Sequence, residues 1–346
     1  MHLPTDEQYL QLLYEQWSEP EYAQSLAKVS TEAALDAQVD RLVRLGVCSE
    51  EQREAAKEGL RWFLSPQVTF RGGLIAGLRR VALHMLSRLP EHESKALSVP
   101  IGLLPITDLN GCAVRTPRGG TIIVINHGLI TFVSKILESY LALSSWDSDT
   151  PYCKHHSKRD NASTIVGIAN YLIRGDGPWM SSIAKTALCP SQHAYEQLHD
   201  AFCYFAEVFV LLHEYGHVCL GHLDPNNTSH SRITQAPGVE TYNTSQLQEF
   251  EADEFAFKVM LKSIEDSDSR PQMLPSDLAL PIGVLLKFFE LCELWSLTKV
   301  SHSEKLTHPS GKARWEKIRP LAGVDRVPGS LAGQIDYVFA TLHPPV

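Results

Sequence analysis

Three features that would place the chain in a large protein class are missing from its sequence. No run of about 18 uncharged apolar residues occurs, so we expect no transmembrane helix. The formal net charge is −9 and no cluster of basic residues exceeds a pair, which argues against a nucleic-acid partner or an anionic membrane surface. The first residues lack the basic start and apolar middle of a signal peptide, so none is expected. A cytoplasmic protein without nucleic-acid or membrane partners is predicted.

The sequence also lacks a CxxC motif, because no two of its 7 cysteines have that spacing. Zinc knuckles and dithiol redox motifs usually carry such pairs, so we expect reduced thiols that lie mostly in the core. What the chain does contain is an ordinary globular composition, with 44% hydrophobic and 21% charged residues. Its length of 346 residues is enough to bury one large core or two smaller ones.

The apolar residues change their spacing along the chain. From about residue 5 to 95 they recur at helical intervals, which predicts a helical amino-terminal region. The β-branched run from Thr121 to Ile125 follows two glycines and predicts a strand. Helical spacing returns later, and long helices are predicted at about 193–222, 245–263 and 278–297.

The first of these long helices contains the segment His213 to His217, which has the form HExxH. Residues four apart lie on one face of a helix, so both imidazoles can reach a single metal ion. Glu214 lies beside them and can hold a water molecule on that ion. The segment predicts a catalytic zinc site, which needs a third ligand.

Two sources of a third ligand can be compared. A metzincin would need glycine at 220 and histidine at 223, where this chain has Leu220 and Leu223. His222 lies one position short of that arrangement and stays an alternative ligand. A carboxylate from the next helix is favoured, and Glu249 supplies one.

Glu249 and Asp253 are four positions apart and therefore share one helix face. Glu249 can bind the metal while Asp253 accepts the ring N–H of a ligating histidine. Ala252 and Ala256 lie near this face and would let the two helices approach closely. A solvated face, on which Glu249 has no special position, is the competing interpretation.

This set of residues, HExxH with Glu249-x-x-Ala252-Asp253, resembles the gluzincin zinc peptidases, especially the M48-like group. The string around Glu249 also resembles soluble cytosolic peptidases of the ImmA/IrrE-like and Lit-like phage-exclusion groups. The similarity extends over about residues 105–320. Asn110 to Ala113, followed by the glycine-led strand at 121–125, resembles an M48 element in which that strand borders the cleft and pairs with extended substrate.

Downstream, Thr307-His308-Pro309 with Arg314 resembles a THP…R segment of the same family. The resemblance implies that His308 or Arg314 lies near the site and stabilises the oxyanion. A turn residue is the plainer interpretation of His308. Cys219, two positions after His217, is predicted to face away from the metal and to lie in the core.

The resemblance also implies an α+β fold that is mostly helical. Its core would be zincin-like, with a small antiparallel sheet and an active-site helix. We predict a helical region at 1–97, a peptidase domain at 98–325 with an insertion at 144–192, and a tail at 326–346.

The predicted function is a zinc-dependent endopeptidase that hydrolyses a specific intracellular protein or peptide by metal-activated water. His213, His217 and Glu249 would bind Zn²⁺, with Glu214 as general base. Two alternatives stay open: a regulatory or interaction protein with a retained zinc site, and a zinc hydrolase of a non-peptide bond. The intact Glu214 argues against the first, because a structural zinc site needs no general base.

Overall fold

A computed structural model describes most of the chain and shows a mainly helical α+β protein. The residues described are 3–18, 32–44, 49–63, 73–106, 109–144, 193–224, 229–232, 240–243, 246–265, 274–297 and 309–323. The predicted insertion at 144–192, except Ser144, and the predicted tail at 326–346 lie outside them. The expected fold class, α+β and mostly helical, is confirmed.

Helices form most of the structure. They are α1 (Asp6–Trp17), α2 (Glu32–Arg44), α3 (Arg53–Phe63), α4 (Gly73–Leu86), α5 (Pro90–Leu97), α6 (His127–Ser144), α7 (His193–Cys219), α8 (Gln246–Glu265), α9 (Pro275–Leu297) and α10 (Gly311–Ile318). The strands are β1 (Ile101–Leu104), β2 (Gly111–Arg115), β3 (Thr121–Asn126), β4 (Ser229–Arg232) and β5 (Glu240–Asn243). None of these helices combines the length and apolar character needed to cross a membrane.

The first three strands form a mixed sheet in the order β1-β3-β2. Strand β3 pairs in parallel with β1 and antiparallel with β2, so the expectation of a purely antiparallel sheet is wrong. The tight turn from Thr116 to Gly120, with Gly119 at a φ of 85°, makes β2 and β3 antiparallel. Strand β1 is not joined to β3 by a hairpin. It pairs with the edge of β3 opposite β2 and runs parallel to β3.

This order also corrects the expected role of the strand at 121–125. The resemblance implied that this strand borders the cleft and pairs with substrate. Both of its edges are already paired, with β1 on one side and β2 on the other. The β-branched run predicted the strand correctly, but the order of strands in a sheet depends on long-range pairing that a local pattern does not contain.

Helix α1 packs on this sheet. Thr5 caps the helix by accepting a hydrogen bond from the Gln8 N–H, and Gln8 in turn caps Thr5. The apolar face of α1 and one face of the sheet share a core cluster made of Leu10, Leu13, Leu104, Val114, Ile122 and Val124. The carboxylate of Asp6 accepts a hydrogen bond of 2.5 Å from the Thr116 hydroxyl at the β2–β3 turn.

The chain divides into two compact units. One comprises Met1–Ile130 with His217–Asn243, and the other comprises Thr131–Gly216 with Thr244–Val346. The division falls inside the continuous helix α7. The predicted domains at 1–97 and 98–325 stay predictions.

Helix α10 is anchored in the second unit by tight backbone packing. Ser310 caps it by accepting a hydrogen bond of 3.2 Å from the Ala313 N–H. A Cβ placed on Gly311 would lie 1.9 Å from the Leu286 carbonyl oxygen of α9, so only glycine fits there. Trp315 is fully buried one turn later. The packing of Gly311 and Trp315 sets the position of Arg314, which lies between these two residues on α10.

Candidate metal centre

Helix α7 carries the predicted metal-binding residues in its buried last turns. His213, Glu214 and His217 are all nearly inaccessible to solvent. Apolar side chains such as Phe209 and Leu212 bury the preceding turns, which explains why the sequence forms a continuous helix here. Polar side chains buried in this way need partners, because burial without a hydrogen bond or an ion is costly.

Helix α8 supplies the carboxylates. Glu249 and Asp253 are buried, with Asp253 fully inaccessible, whereas the neighbouring Glu251 and Glu254 are exposed. Glu249 and Asp253 therefore lie on the buried face of α8, and Glu251 and Glu254 lie on its solvated face. The first turn of α8 thus directs a buried carboxylate toward α7.

The two helices meet at a glycine. A Cβ on Gly216 would lie 3.1 Å from the Ala252 Cα and 3.2 Å from the Phe255 Cδ1. Such contacts are tighter than normal packing, so Gly216 and Ala252 together allow the close approach. Sequence reasoning identified the alanine but missed the glycine, although a glycine inside a long apolar helix costs about 1 kcal/mol and signals a packing constraint.

His213, His217 and Glu249 each direct one ligand atom to a common point. These three atoms all lie within 4.8 Å of one another. The distance between His213 Nε2 and the nearer Glu249 oxygen is 3.5 Å. Two ligands of a tetrahedral zinc ion, with bonds of about 2.0 to 2.1 Å, lie about 3.3 Å apart. The donor set and its spacing therefore fit a metal ion.

Asp253 determines which nitrogen of His213 faces this point. Its carboxylate lies 2.9 Å from His213 Nδ1 and accepts the hydrogen that this nitrogen carries. The lone pair of the neutral ring is then on Nε2, the nitrogen that faces Glu249. Burial opposes a charge on His213, but hydrogen bonds to Asp253 and Glu249 outweigh it and raise the pKa of His213 to about 10. The two carboxylates therefore make the site favourable to positive charge.

Arg314 of α10 completes the support behind His213. Its Nε and Nη2 atoms donate to the two oxygens of Asp253 at 2.7 and 2.6 Å. Burial disfavours the charged form of Asp253, but the Arg314 charge and these hydrogen bonds lower the pKa of the carboxyl below its ordinary value. The same attraction raises the pKa of Arg314 further above its ordinary value, against the effect of burial.

A comparison with known protein families decides the class. A sequence model of the family Peptidase U49 matches residues 131–326, which is more than half of the chain. The chain belongs to the peptidase U49 family. It is accordingly a peptidase, a hydrolase of peptide bonds. No curated protein and no solved structure is significantly similar to it.

The match to peptidase U49 spans α6 to α10 and therefore includes every residue of the candidate metal centre. Strands β1 to β3 precede the matched residues. The segment that identifies the family is thus the one that supplies His213, Glu249 and Arg314. The residues that identify the family and the candidate metal ligands therefore lie in the same segment of the chain.

The other predicted site residues of this U49 peptidase have different outcomes. His308 lies outside the described residues, although Pro309, which follows it, is buried. Arg314 lies on the Nδ1 side of His213, with two of its donors on Asp253, and not at the metal-facing nitrogen. His222, the alternative ligand, is buried but is not one of the three clustered residues. Cys219 is buried in the core, as predicted.

Proposed function

We propose that this U49 peptidase is a zinc-dependent endopeptidase of the gluzincin type. The observation that carries the proposal is the convergence of two buried imidazoles and one buried carboxylate within 4.8 Å, inside the segment that identifies a peptidase family. Two nitrogens and one oxygen are the ligand set of many catalytic zinc sites, which keep a fourth position open for water.

His213, His217 and Glu249 would hold the ion. When bound there, zinc lowers the pKa of a water molecule toward neutrality and polarises the carbonyl of the scissile bond. Softer sites for copper or iron–sulfur clusters use cysteine ligands, and sites for magnesium or calcium use oxygen alone. Two imidazoles and one carboxylate also hold non-haem iron in oxygenases, so zinc is chosen because peptide hydrolysis, the reaction of this family, needs a Lewis acid and no redox change.

Glu214 is proposed as the general base. It is buried and directly follows His213 on α7. It would accept a proton from the attacking water and then deliver that proton to the leaving amine. The charges of Glu214 and Arg314 also attract each other electrostatically.

The remaining roles divide between Asp253, Arg314 and His308. Asp253 and Arg314 would hold the His213 ring in its ligating orientation. We retain His308 as the proposed oxyanion donor, because Arg314 already donates twice to Asp253. The chain directly after His308 leads into α10, the helix that carries Arg314.

The proposed substrate is a specific intracellular protein or peptide, with the enzyme acting in the cytoplasm. The class of substrate follows from membership of a peptidase family. Pairing of an extended substrate with β3 is not used as an argument for a peptide substrate, because both edges of that strand are already paired.

Metal content and cleavage together test the proposal. We expect one equivalent of zinc, measured by mass spectrometry, in the wild-type protein and a loss of zinc in Glu249→Ala. The variant Glu251→Ala is the matched control, because Glu251 is exposed on the same helix and should leave zinc unchanged. Glu214→Gln should keep its zinc but lose cleavage of a proteome extract, measured by labelling new amino termini.

The outcomes separate the hypotheses. Wild-type protein without metal would contradict the zinc proposal. Zinc without cleavage in the wild type would favour a regulatory protein with a retained site. Normal cleavage by Glu214→Gln would show that another group is the base.

A further inference from the structure

The chain beyond α7 folds back onto the helix it has just left. Gly221 has a φ of 76°, in the left-handed region that favours glycine. The His222 N–H donates to the His217 carbonyl at 2.9 Å, and the Gly221 N–H donates to the Val218 carbonyl at 3.2 Å. These two bonds are those of a Schellman motif, which commonly ends helices. The motif brings His222 next to His217, one of the proposed metal ligands.

The side chains of these two histidines also meet. Their Nδ1 atoms are 3.0 Å apart, a hydrogen-bond distance. The rings are inclined at 65° with their centroids 5.1 Å apart, and His222 is only 4% exposed. His222 is therefore bonded to His217 twice, once through its backbone and once through its ring.

The direction of the ring hydrogen bond follows from metal binding. A neutral imidazole has one N–H and one nitrogen with a lone pair. If His217 is to offer the lone pair of Nε2 to a metal, its Nδ1 must carry the hydrogen and donate it to His222. The opposite direction would place the hydrogen of His217 on Nε2 and prevent ligation.

We propose that His222 is a positioning residue that holds His217 in the tautomer and orientation needed to bind the metal. This inference rests on the proposed function. His222 would do for His217 what Asp253 does for His213, and both partners act on Nδ1. Such partners of ligating histidines typically change metal affinity or activity by about 10- to 100-fold when they are removed.

The two supporting partners differ in charge. Asp253 is a carboxylate balanced by Arg314, whereas His222 must be neutral at Nδ1 to accept a hydrogen bond. A neutral acceptor orients His217 without adding a further negative charge beside the ion. The metal then keeps more of its ability to polarise water and carbonyl oxygen.

The geometry also separates this role from the alternative in which His222 is a ligand itself. The group of converging donor atoms is formed by His213, His217 and Glu249. The His222 Nδ1 lies at hydrogen-bond distance from the His217 Nδ1, so Nε2 is the His217 nitrogen left available to that group. His222 is therefore placed as a partner of the proposed ligand His217 and not as a ligand itself.

The experiment replaces His222 by three side chains. Asn carries an amide oxygen at the position of Nδ1 and retains an acceptor, Leu removes the acceptor, and Gln places its amide one bond farther out. We expect Zn²⁺ affinity, measured by competition with a chelator, to fall roughly 10- to 100-fold in His222→Leu. His222→Asn should stay within a few-fold of wild type, and its Co²⁺-loaded form should keep the wild-type visible spectrum.

A buried histidine elsewhere on α7 provides the control. His199 is buried but lies more than three helical turns from His213, so His199→Leu should leave the Co²⁺ spectrum unchanged. Wild-type Zn²⁺ affinity in His222→Leu would overturn the inference, as would an equal loss in the Asn and Leu variants. If circular dichroism shows that His222→Leu does not fold, the Zn²⁺ affinities of His222→Asn and His222→Gln are compared instead. Equal Zn²⁺ affinities in these two variants would overturn the inference.

Failure of this inference is distinct from failure of the proposed function. The proposed function fails when the wild-type protein binds no zinc or when Glu214→Gln still cleaves. The role of His222 fails when wild type binds zinc and the His222 variants bind it equally well.

Discussion

At the scale of single residues, Asp253 holds two groups in place at once. It accepts from His213 and from two donors of Arg314, and it is fully buried. Its replacement by a neutral side chain would leave the Arg314 charge without its partner in a largely buried position. Removal of one member of a buried pair is much more damaging than loss of an exposed pair.

We therefore expect Asp253→Asn to reduce the free energy of unfolding by about 3 to 5 kcal/mol. Zinc affinity should also fall by roughly 10- to 100-fold, because the single amide oxygen of Asn is a weaker acceptor for the His213 Nδ1–H than the carboxylate is. Urea denaturation and chelator competition measure the two effects. Glu254→Gln is the matched control on α8, since Glu254 pairs with Lys258 in a half-exposed position and should cost less than about 1 kcal/mol. Equal effects of the two substitutions would contradict this account.

A second residue, Glu207, is expected to contribute to the pH dependence of stability. Burial raises the pKa of Glu207 to about 8. The charge of His199 lowers this pKa and the charge of Asp200 raises it, but both effects are smaller than that of burial. Between pH 4.5 and about 8 the folded protein therefore retains a proton that the unfolded chain has lost. The contribution of Glu207 to stability falls as pH rises through this window, by up to about 1.4 kcal/mol per pH unit.

The expected result is that Glu207→Gln matches the wild type near pH 5 and is more stable at pH 8 and above. Urea denaturation at a series of pH values measures this. Glu254→Gln is the control, because Glu254 is half-exposed on α8, is paired with Lys258 and should hardly change the slope. A wild-type slope that persists in Glu207→Gln would assign the pH dependence to another group.

Much of the metal centre could be predicted at this scale, and the reason is helical spacing. HExxH and the Glu249–Asp253 pair each place two side chains on one face, so the sequence alone predicts which groups converge. The position of Arg314 could not be predicted in the same way. The group it meets depends on how α10 packs on α9, and no local pattern contains that information.

At the scale of secondary-structure elements, the approach of α7 to α8 depends on Gly216. Alanine at this position should gain about 1 kcal/mol of helix propensity but would force the helices apart by a few tenths of an ångström. We expect Gly216→Ala to stay folded and to bind zinc more weakly than wild type. Chelator competition measures the affinity, and circular dichroism checks the helix content.

Gly77 on α4 is the control for this substitution. A Cβ on Gly77 would meet no atom within 4 Å, so Gly77→Ala should stabilise the protein by about 0.5 to 1 kcal/mol without an effect on zinc. Unchanged zinc affinity in Gly216→Ala would mean that the spacing of α7 and α8 does not limit the site.

The packing of α10 on α9 gives another prediction for an element. A Cβ on Gly311 would overlap the Leu286 carbonyl, which is backbone and cannot rotate away as a side chain can. Gly311→Ala should therefore lower the free energy of unfolding by about 3 kcal/mol, measured by urea denaturation. If Gly311→Ala changes the free energy of unfolding by no more than Gly77→Ala does, α10 can shift without cost.

The sheet shows where element prediction from sequence ends. The β-branched run at 121–125 correctly predicted a strand, because side-chain shape favours extended backbone locally. Its central place in the sheet follows from pairing with β1 and β2, which lie earlier in the chain. Pairing of this kind is decided by the packing of whole elements, so resemblance to another family was a poor guide to it.

At the scale of the whole molecule, a bound metal should stabilise the folded chain. In the proposed function, zinc would bind the assembled ligands of the native state and would have no such site in the unfolded chain. At a free zinc concentration 100 times the dissociation constant, the expected gain is about 2.7 kcal/mol. Removal of zinc with a chelator should lower the urea midpoint of the wild type and leave Glu249→Ala unaffected. Identical midpoints for the wild type with and without zinc would contradict this.

The contact between α1 and the β2–β3 turn has a consequence for comparing sequences. A Cβ on Gly120 would lie 2.0 Å from an Asp6 carboxylate oxygen, so the glycine and the carboxylate occupy neighbouring space. A side chain at 120 would require a smaller residue at position 6, or would displace the Asp6 carboxylate from its bond to Thr116. Among related chains the two positions should therefore covary, with the residue at 116 as a third partner. Such covariation would identify the docking of α1 from aligned sequences alone, across more than a hundred intervening residues.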